Sequence, residues 1–234
     1  MAYGYLRRTL VMAWRLNARS PRPSALRELV ERINRRRELD LPLEEVEMVA
    51  FDLETTGLKP GAGDEIIALG AVRLRGNELL YPAFDQLVRP GRRVPPLVEE
   101  LTGISSELLR YAPPLGAVLP LFLTYLSRGF PLGFNVAFDL AFLNQALKPH
   151  GRLSEQAFLD VWTVARALDA RWEHATMDEI ARYLEVDLKG RHTALGDALI
   201  HAHMWLKLRE RLKEKGVRTL RDLRSFLWLK LRHC

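Results

Sequence analysis

Two acidic residues stand two positions apart at the end of an apolar run that begins at Val46, in the segment Phe51-Asp52-Leu53-Glu54. The run predicts a buried strand, and side chains at positions i and i+2 of a strand leave the same face of a sheet. Two ionised carboxylates at close range repel each other and lose hydration on burial, and a bound cation is the usual remedy. Oxygen ligands favour a hard divalent ion, magnesium or manganese rather than zinc.

Two further acids interrupt apolar helical patterns. Asp139 lies among Phe138, Leu140 and other apolar residues, and Asp197 stands near the start of a helix that carries Leu195. Each acid taken alone is better explained as solvated surface, and an isolated Asp-x-Glu pair is weak evidence for a metal site. The chemistry therefore depends on whether the four acids act together.

The elements that must position these acids follow from periodicity and turn residues. Helical spacing appears over 24–39, and a hairpin is predicted over 65–75 and 78–89, followed by a proline-containing loop. Strands near 130–134 and 157–160 alternate with helices over 115–127, 136–147, 161–169, 176–184, 195–215 and 217–232. Strands followed by helices in this order predict an α/β layer fold with a mixed sheet.

Length and composition suit one globular domain with short appendages, since the chain has 234 residues of which 48% are hydrophobic. The only cysteine is Cys234, so neither a disulfide framework nor a cysteine-based zinc site is expected within one chain. The apolar stretch 10–14 is too short to span a bilayer, and we expect a cytoplasmic protein with no membrane partner.

Charge divides the chain into three parts. Residues 1–40 carry a net charge of +6, residues 206–234 carry +7, and the middle carries −7. We predict a basic helical N-terminal appendage over 1–45, a catalytic domain over 46–207 and a basic amphipathic helical tail over 208–234. Basic ends attract a polyanion or an acidic partner, although solvated helix faces also explain part of this charge.

Four motifs occur in a fixed order, and together they resemble those of the DnaQ-like DEDDh exonucleases. They are Phe51-Asp52-Leu53-Glu54-Thr55-Thr56-Gly57-Leu58, Leu101-Thr102-Gly103-Ile104, Phe134-Asn135-Val136-Ala137-Phe138-Asp139 and His192-Thr193-Ala194-Leu195-Gly196-Asp197. That family includes the epsilon proofreading subunit of bacterial DNA polymerase III. The resemblance covers residues 46–207. It implies an RNase H-like fold, with a mixed five-stranded sheet and helices on both faces.

The resemblance also implies roles for the acids and for His192. Asp52, Glu54 and Asp197 would hold a first Mg²⁺ or Mn²⁺, Asp52 would touch a second cation, and Asp139 would act directly or through water. His192 would be the general base, with an ordinary pKa of about 6.5 that suits work near neutral pH. The activity implied is stepwise release of nucleoside monophosphates from a 3′ end.

Substrate-binding positions carry over from the same motifs. The turn of Thr55, Thr56 and Gly57 would contact the terminal 3′ hydroxyl through its backbone. Apolar side chains would wedge or stack the last bases, and a polar one would lie near the substrate backbone; these are Leu58, Ile104 and Phe138, and Asn135. A structural hydrogen bond at the strand end explains Asn135 equally well.

Three sets of residues could be mistaken for parts of a catalytic site. Tyr183 and Asp187 fit the spacing of a sister group that uses tyrosine in place of histidine, but Tyr183 ends an amphipathic helix and suits a core or rim role. His201 and His203 could mimic metal ligands, but packing against the domain is simpler. Asp160, at the end of the last strand, is expected to be structural.

The expected substrate is the single-stranded or frayed 3′ end of DNA, in proofreading or repair, and a polymerase subunit is a possible partner. An RNA exonuclease of the ribonuclease T or oligoribonuclease kind is the alternative within the same chemistry. A non-catalytic module that binds nucleic acid or a polymerase is the alternative of another class.

Overall fold

The computed structural model describes residues 23–35 and 40–231. No helix among these residues is long and apolar enough to cross a membrane. The helices are α1 Pro23–Asn34, α2 Pro96–Thr102, α3 Ser106–Leu109, α4 Leu115–Leu126, α5 Val136–Ala146, α6 Val161–Leu168, α7 Met177–Tyr183, α8 Ala194–Glu214 and α9 Leu220–Leu231. The strands are β1 Met48–Thr55, β2 Ile66–Arg75, β3 Glu78–Leu87, β4 Phe130–Gly133 and β5 Leu159–Asp160.

The five strands form one mixed sheet in the order β3-β2-β1-β4-β5. The hairpin strands β2 and β3 pair antiparallel, and β2 pairs antiparallel with β1. β1, β4 and β5 run parallel. Because helices cover both faces of this sheet, the prediction of a mixed five-stranded α/β sheet is confirmed.

Side chains of β1 alternate between two apolar clusters. Val49, Phe51 and Leu53 pack with residues of α1, α4 and α5 on one face. Met48 and Ala50 pack with residues of α6, α7, α8 and α9 on the other. Asp52 and Glu54 have the same parity as Ala50, so they leave the face covered by α8.

The acids lie within β1 rather than at its end, which corrects the predicted strand boundary. The strand continues to Thr55 because Asp52 pairs with Gly70 and Glu54 pairs with Ala68 of β2, before the register shifts. The hydrogen-bonded ladder therefore holds the backbone of both acids.

The proline-containing loop after β3 contains two short helices that the sequence pattern did not predict. Pro96 occupies the start of α2, where a residue without an N–H loses no helical hydrogen bond. Ser105 caps α3 by accepting a hydrogen bond from the Leu108 N–H at 3.1 Å. Helices of one or two turns give too little apolar periodicity to detect.

Both predicted appendages contact the sheet domain. α1 buries Leu26, Val30 and Ile33 in the cluster of α4 and α5, and α9 buries Leu220 and Leu223 in the cluster of α6 and α8. Residues 1–22, 36–39 and 232–234 lie outside the described residues. α8 runs without a break through residue 207, and the division of the chain at 45 and 207 stays a prediction.

Candidate metal centre

Two glycines let the start of α8 approach the strand that carries the acids. Gly70 pairs with Asp52, and a Cβ at Gly70 would lie 2.2 Å from the backbone of Ala194. A Cβ at Gly196 would lie 1.9 Å from the carbonyl oxygen of Gly190. No side chain fits at either position, and this close packing brings the first turn of α8, with Asp197, onto the sheet beside Asp52.

Three of the four predicted acids converge. One carboxylate oxygen from each of Asp52, Glu54 and Asp197 lies within 4.8 Å of the others. Asp139, buried at the start of α5, accepts a hydrogen bond from the Leu53 N–H at 3.1 Å. Residues distant in sequence thus form one acidic cluster around the second half of β1.

Burial is the main cause of abnormal pKa values in this cluster. It raises the pKa of Glu54 to about 8 and that of Asp197 to about 6. It also raises the pKa of Asp52 and of Asp139 well above the usual range, and the charges of neighbouring acids add to the shift. Without a cation, the folded protein therefore keeps protons near neutral pH on carboxyl groups that would be ionised in water at the same pH.

The cluster fits a divalent cation. Oδ1 of Asp197 is buried and has no hydrogen-bond partner among the described residues, although buried polar atoms are normally satisfied. Oxygen atoms from three carboxylates are ligands that Mg²⁺ or Mn²⁺ accepts. A cation there would partner the orphan oxygen and offset the like charges.

Arg191 is part of this site, although none of the sequence motifs indicated it. Its guanidinium forms ion pairs with Asp197 through Nη1 and with Asp178 through Nε, the latter at 2.8 Å. The charge of Arg191 opposes the effect of burial and lowers the pKa of Asp197. Arg191 thereby holds Asp197 by one oxygen and leaves the other free. Its position directly before His192 was the available signal.

His192 lies in the loop that leads into α8. Its backbone is left-handed, with φ of 64°. Burial and the charge of Arg191 lower the pKa of His192 below 6.5, which favours the neutral imidazole near neutral pH. Nδ1 lies 3.2 Å from Nη1 of Arg191, a group that only donates. Nδ1 must leave this contact before it can accept a proton.

The segment after Glu54 forms a tightly bonded turn. The Thr55 hydroxyl donates to the carbonyl oxygen of Gly57 at 2.6 Å. The Thr56 hydroxyl accepts from the Glu65 N–H at 3.0 Å and donates to Asp64. Leu58 follows with 78% of its surface exposed. The predicted contact region for the 3′ end thus lies next to the acidic cluster, with an apolar side chain open to solvent.

The position of Ile104 does not fit its predicted role of wedging or stacking the last bases. Its side chain is fully buried against Ile67, Ala68 and Ala194, so in this structure it packs the start of α8 and offers no surface to a base. Leu101 is the exposed apolar residue of that motif, at 54%. Motif spacing places a residue on a segment but does not show which side chains of that segment face solvent.

Phe138 and Asn135 lie at the start of α5. The Phe138 ring is half-buried and packs against Phe142 at 5.2 Å between ring centres. Asn135 is exposed and left-handed, with φ of 52°. Its N–H donates to Oδ1 of Asp160 at 3.0 Å, and the same oxygen accepts from Trp162. Asp160 therefore joins β5 to α6 and α5, as a structural residue would.

The competing residues have contacts of their own. Tyr183 packs against Trp172, and its hydroxyl accepts from Arg171 at 3.0 Å, within a surface cluster of aromatic and arginine side chains. His201 is buried, with Nδ1 3.1 Å from the carbonyl oxygen of Phe51, and burial lowers its pKa to about 4. His203 is exposed and contacts the Leu199 carbonyl oxygen at 2.8 Å. These contacts account for all three without a metal.

The raised pKa of Glu54 predicts how the metal-free protein responds to pH. Its folded pKa of about 8 exceeds the ordinary 4.5, so the stability it contributes is complete below pH 4.5 and is lost as pH rises towards 8. Relative to Glu54→Gln, the wild type in EDTA should lose on the order of 2–4 kcal/mol of unfolding free energy between pH 4.5 and 8. Urea unfolding of both proteins at several pH values measures this.

The lowered pKa of His201 makes the folded state more stable as pH rises from 4 to 6.5, which is opposite to the effect of Glu54. Because both proteins contain His201, its contribution cancels in the difference between their unfolding free energies. Adding Mg²⁺ or Mn²⁺ should restore the wild type at pH 8 more than the variant. Parallel pH curves for the two proteins would contradict the raised pKa.

Comparisons with known proteins show which family the chain belongs to. A family model described as Exonuclease (RNase_T) matches residues 49–204. The DNA polymerase III PolC-type of Caldanaerobacter subterraneus subsp. tengcongensis is 33% identical over 183 residues, which are 78% of this chain and 13% of that protein. A DNA polymerase III subunit epsilon-like protein of Rhodobacter capsulatus is 32% identical over 77% of this chain and 26% of that protein. The chain thus spans about a quarter or less of these relatives.

Two solved structures share the fold. E. coli Exonuclease I in complex with a dT13 oligonucleotide superposes with a TM-score of 0.61 and 17% identity, covering 74% of this chain and 43% of that chain. Exonuclease X in complex with 5′ overhanging duplex DNA gives a TM-score of 0.57 and 19% identity, covering 77% and 98%. These likenesses extend the agreement from sequence to the arrangement of strands and helices.

Proposed function

Because this chain belongs to the exonuclease family, as the motifs predicted, we propose that it is a metal-dependent 3′→5′ exonuclease. It would release nucleoside monophosphates from single-stranded or frayed 3′ ends of DNA. The observation that carries the proposal is the convergence of Asp52, Glu54 and Asp197 within 4.8 Å, with one buried oxygen of Asp197 left without a partner among the described residues.

The carboxylates of Asp52, Glu54 and Asp197, with Asp139 beside them, would hold two divalent cations. When bound, such cations activate an attacking water and stabilise the leaving 3′ oxygen of an in-line displacement. The cations proposed are Mg²⁺ or Mn²⁺. Arg191 keeps Asp197 in position through its second oxygen.

His192 would accept the proton of the attacking water once Nδ1 has left Arg191. The turn of Thr55, Thr56 and Gly57 would hold the terminal nucleotide, because its hydrogen bonds to Glu65 and Asp64 keep its backbone in place beside the acids. Leu58, exposed at 78%, would pack against the last base. Such apolar contact reads no hydrogen-bonding edge of the base and is therefore tolerant of base sequence, as stacking on an aromatic ring is.

DNA is the proposed substrate because the two structures that share the fold were solved with DNA. The relationship to a subunit named epsilon-like supports a polymerase as a partner and proofreading or repair as the task. RNA cleavage and non-catalytic binding are the competing outcomes of the cleavage assay.

The assay uses 5′-labelled single-stranded DNA, 3′-recessed duplex DNA and single-stranded RNA, each with Mg²⁺ or Mn²⁺. Ladders shortened from the 3′ end, with nucleoside monophosphates as products and faster cleavage of DNA than of RNA, are the expected result. Internal cleavage, shortening from the 5′ end or no cleavage of any substrate would overturn the proposal.

A further inference from the structure

A groove lined by arginines opens between the loop after β3 and the end of α3. Arg89, Arg92, Arg93 and Arg110 line it and are all exposed, and among the described residues Glu107 is the only acid in its wall. Tyr111 stands at the same groove with 87% of its surface exposed. In the part of the chain that the structure describes, only Arg92 of these arginines forms an ion pair, with Asp64. The other three guanidinium groups are open to an anionic ligand.

Hydrogen bonds connect this groove to the turn beside the acids. Arg92 donates to Oδ1 of Asp64 at 2.9 Å, and the same oxygen accepts from the Thr56 hydroxyl at 3.4 Å. Next to Arg92 in the loop, the Gly91 N–H donates to the Glu65 carboxylate, and the Glu65 N–H donates to Thr56. The groove therefore begins two hydrogen bonds from the predicted site of the 3′ end.

The side chains in the groove suit a nucleic-acid strand. Guanidinium groups bind phosphate through paired, charge-assisted hydrogen bonds. An exposed tyrosine ring is a platform on which an unpaired base stacks. The groove lies in the middle segment of the chain, whose net charge is −7. Its arginines and exposed ring are therefore a basic patch within an acidic segment.

We propose that this groove binds the single-stranded segment of the substrate on the 5′ side of its terminal nucleotides. The assignment rests on the proposed exonuclease function. Arg93 and Arg110 bind successive phosphates, and Tyr111 stacks on a base. The strand is single because the ring needs an unpaired base to stack on.

Binding is tested by fluorescence anisotropy with dT12 and dT3 in an Asp52→Asn background, where cleavage does not remove the ligand. Arg93→Gln/Arg110→Gln should weaken dT12 binding tenfold or more at low salt. It should also reduce the slope of log affinity against log salt by about 1.4, or about 0.7 for each phosphate that is no longer neutralised. Tyr111→Ala should weaken dT12 binding by about 5- to 100-fold. The affinity for dT3, which has only two phosphodiesters to offer the groove, should fall by a smaller factor than the affinity for dT12.

The matched control is Arg75→Gln/Arg224→Gln, which removes the same charge from exposed positions at the opposite end of the sheet, near the starts of β1 and β4. Equal loss of dT12 binding in the control and the groove variant would overturn the proposal, because a general charge effect would then explain both. Competition by polyglutamate at the affinity of dT12 would overturn it in favour of an acidic peptide. These binding measurements need no cleavage, so their failure is separable from failure of the exonuclease assay.

Discussion

Asp52→Asn is expected to reduce exonuclease turnover by about 1,000-fold or more. The acid lies between Glu54, Asp139 and Asp197, and the structure puts one of its oxygens within 4.8 Å of both Glu54 and Asp197. Loss of the charge that holds a catalytic cation costs several kcal/mol of transition-state stabilisation, and each 1.36 kcal/mol is a factor of ten. Single-turnover cleavage of a 5′-labelled dT12 at saturating enzyme measures the effect.

Stability separates this loss from unfolding. Burial and the neighbouring acids raise the pKa of Asp52, so the uncharged asparagine should leave the melting temperature in EDTA at pH 8 equal to the wild type or above it. Mg²⁺ should then stabilise the variant less than the wild type. Asp187→Asn is the matched control, because Asp187 is exposed and, among the described residues, its carboxylate accepts only from the Lys189 N–H. Turnover within tenfold of the wild type in Asp52→Asn would refute the proposed metal site.

His192→Asn is expected to lower turnover by about 100- to 10,000-fold, the usual contribution of a general base. Asparagine is the substitution of choice because it tolerates the left-handed backbone of His192, with φ of 64°. Alanine would add strain and confuse the result. Cation affinity, followed by calorimetry with Mn²⁺, should change little. The residues that converge to hold a cation are Asp52, Glu54 and Asp197, and His192 is not one of them.

The pH profile identifies the base. Only the neutral imidazole accepts a proton, so wild-type activity should fall as pH falls through the pKa of His192, which burial and Arg191 place below 6.5. At saturating Mn²⁺, which keeps the carboxyls of the site ionised, the profile of His192→Asn should lack that acidic limb. Tyr183→Phe should retain full activity, because Tyr183 is held in the cluster with Arg171 and Trp172. An unchanged acidic limb in His192→Asn, or a large loss in Tyr183→Phe, would assign the base elsewhere.

Local patterns in the sequence predicted most of the elements that carry the site. Period-two alternation placed Asp52 and Glu54 on one face of a strand, and the structure shows them there, although the strand extends past both acids to Thr55. The short helices α2 and α3 were not predicted, because one or two turns carry almost no periodic signal. Ile104 shows a related limit, since its burial depends on how the segment after α2 packs against β2 and the start of α8, and the motif does not encode that contact.

The sequence by itself determined which residues could do chemistry at Asp52, Glu54, Asp139, Asp197 and His192, because motif order and side-chain parity are properties of the chain. Only the tertiary structure decided that three acids meet while Asp139 bonds to the backbone beside them. It also showed that Arg191 forms an ion pair with Asp197. The physical reason is that distances between elements depend on packing, here on the contact of α8 with Gly70, and spacing along one strand or helix does not encode such a contact.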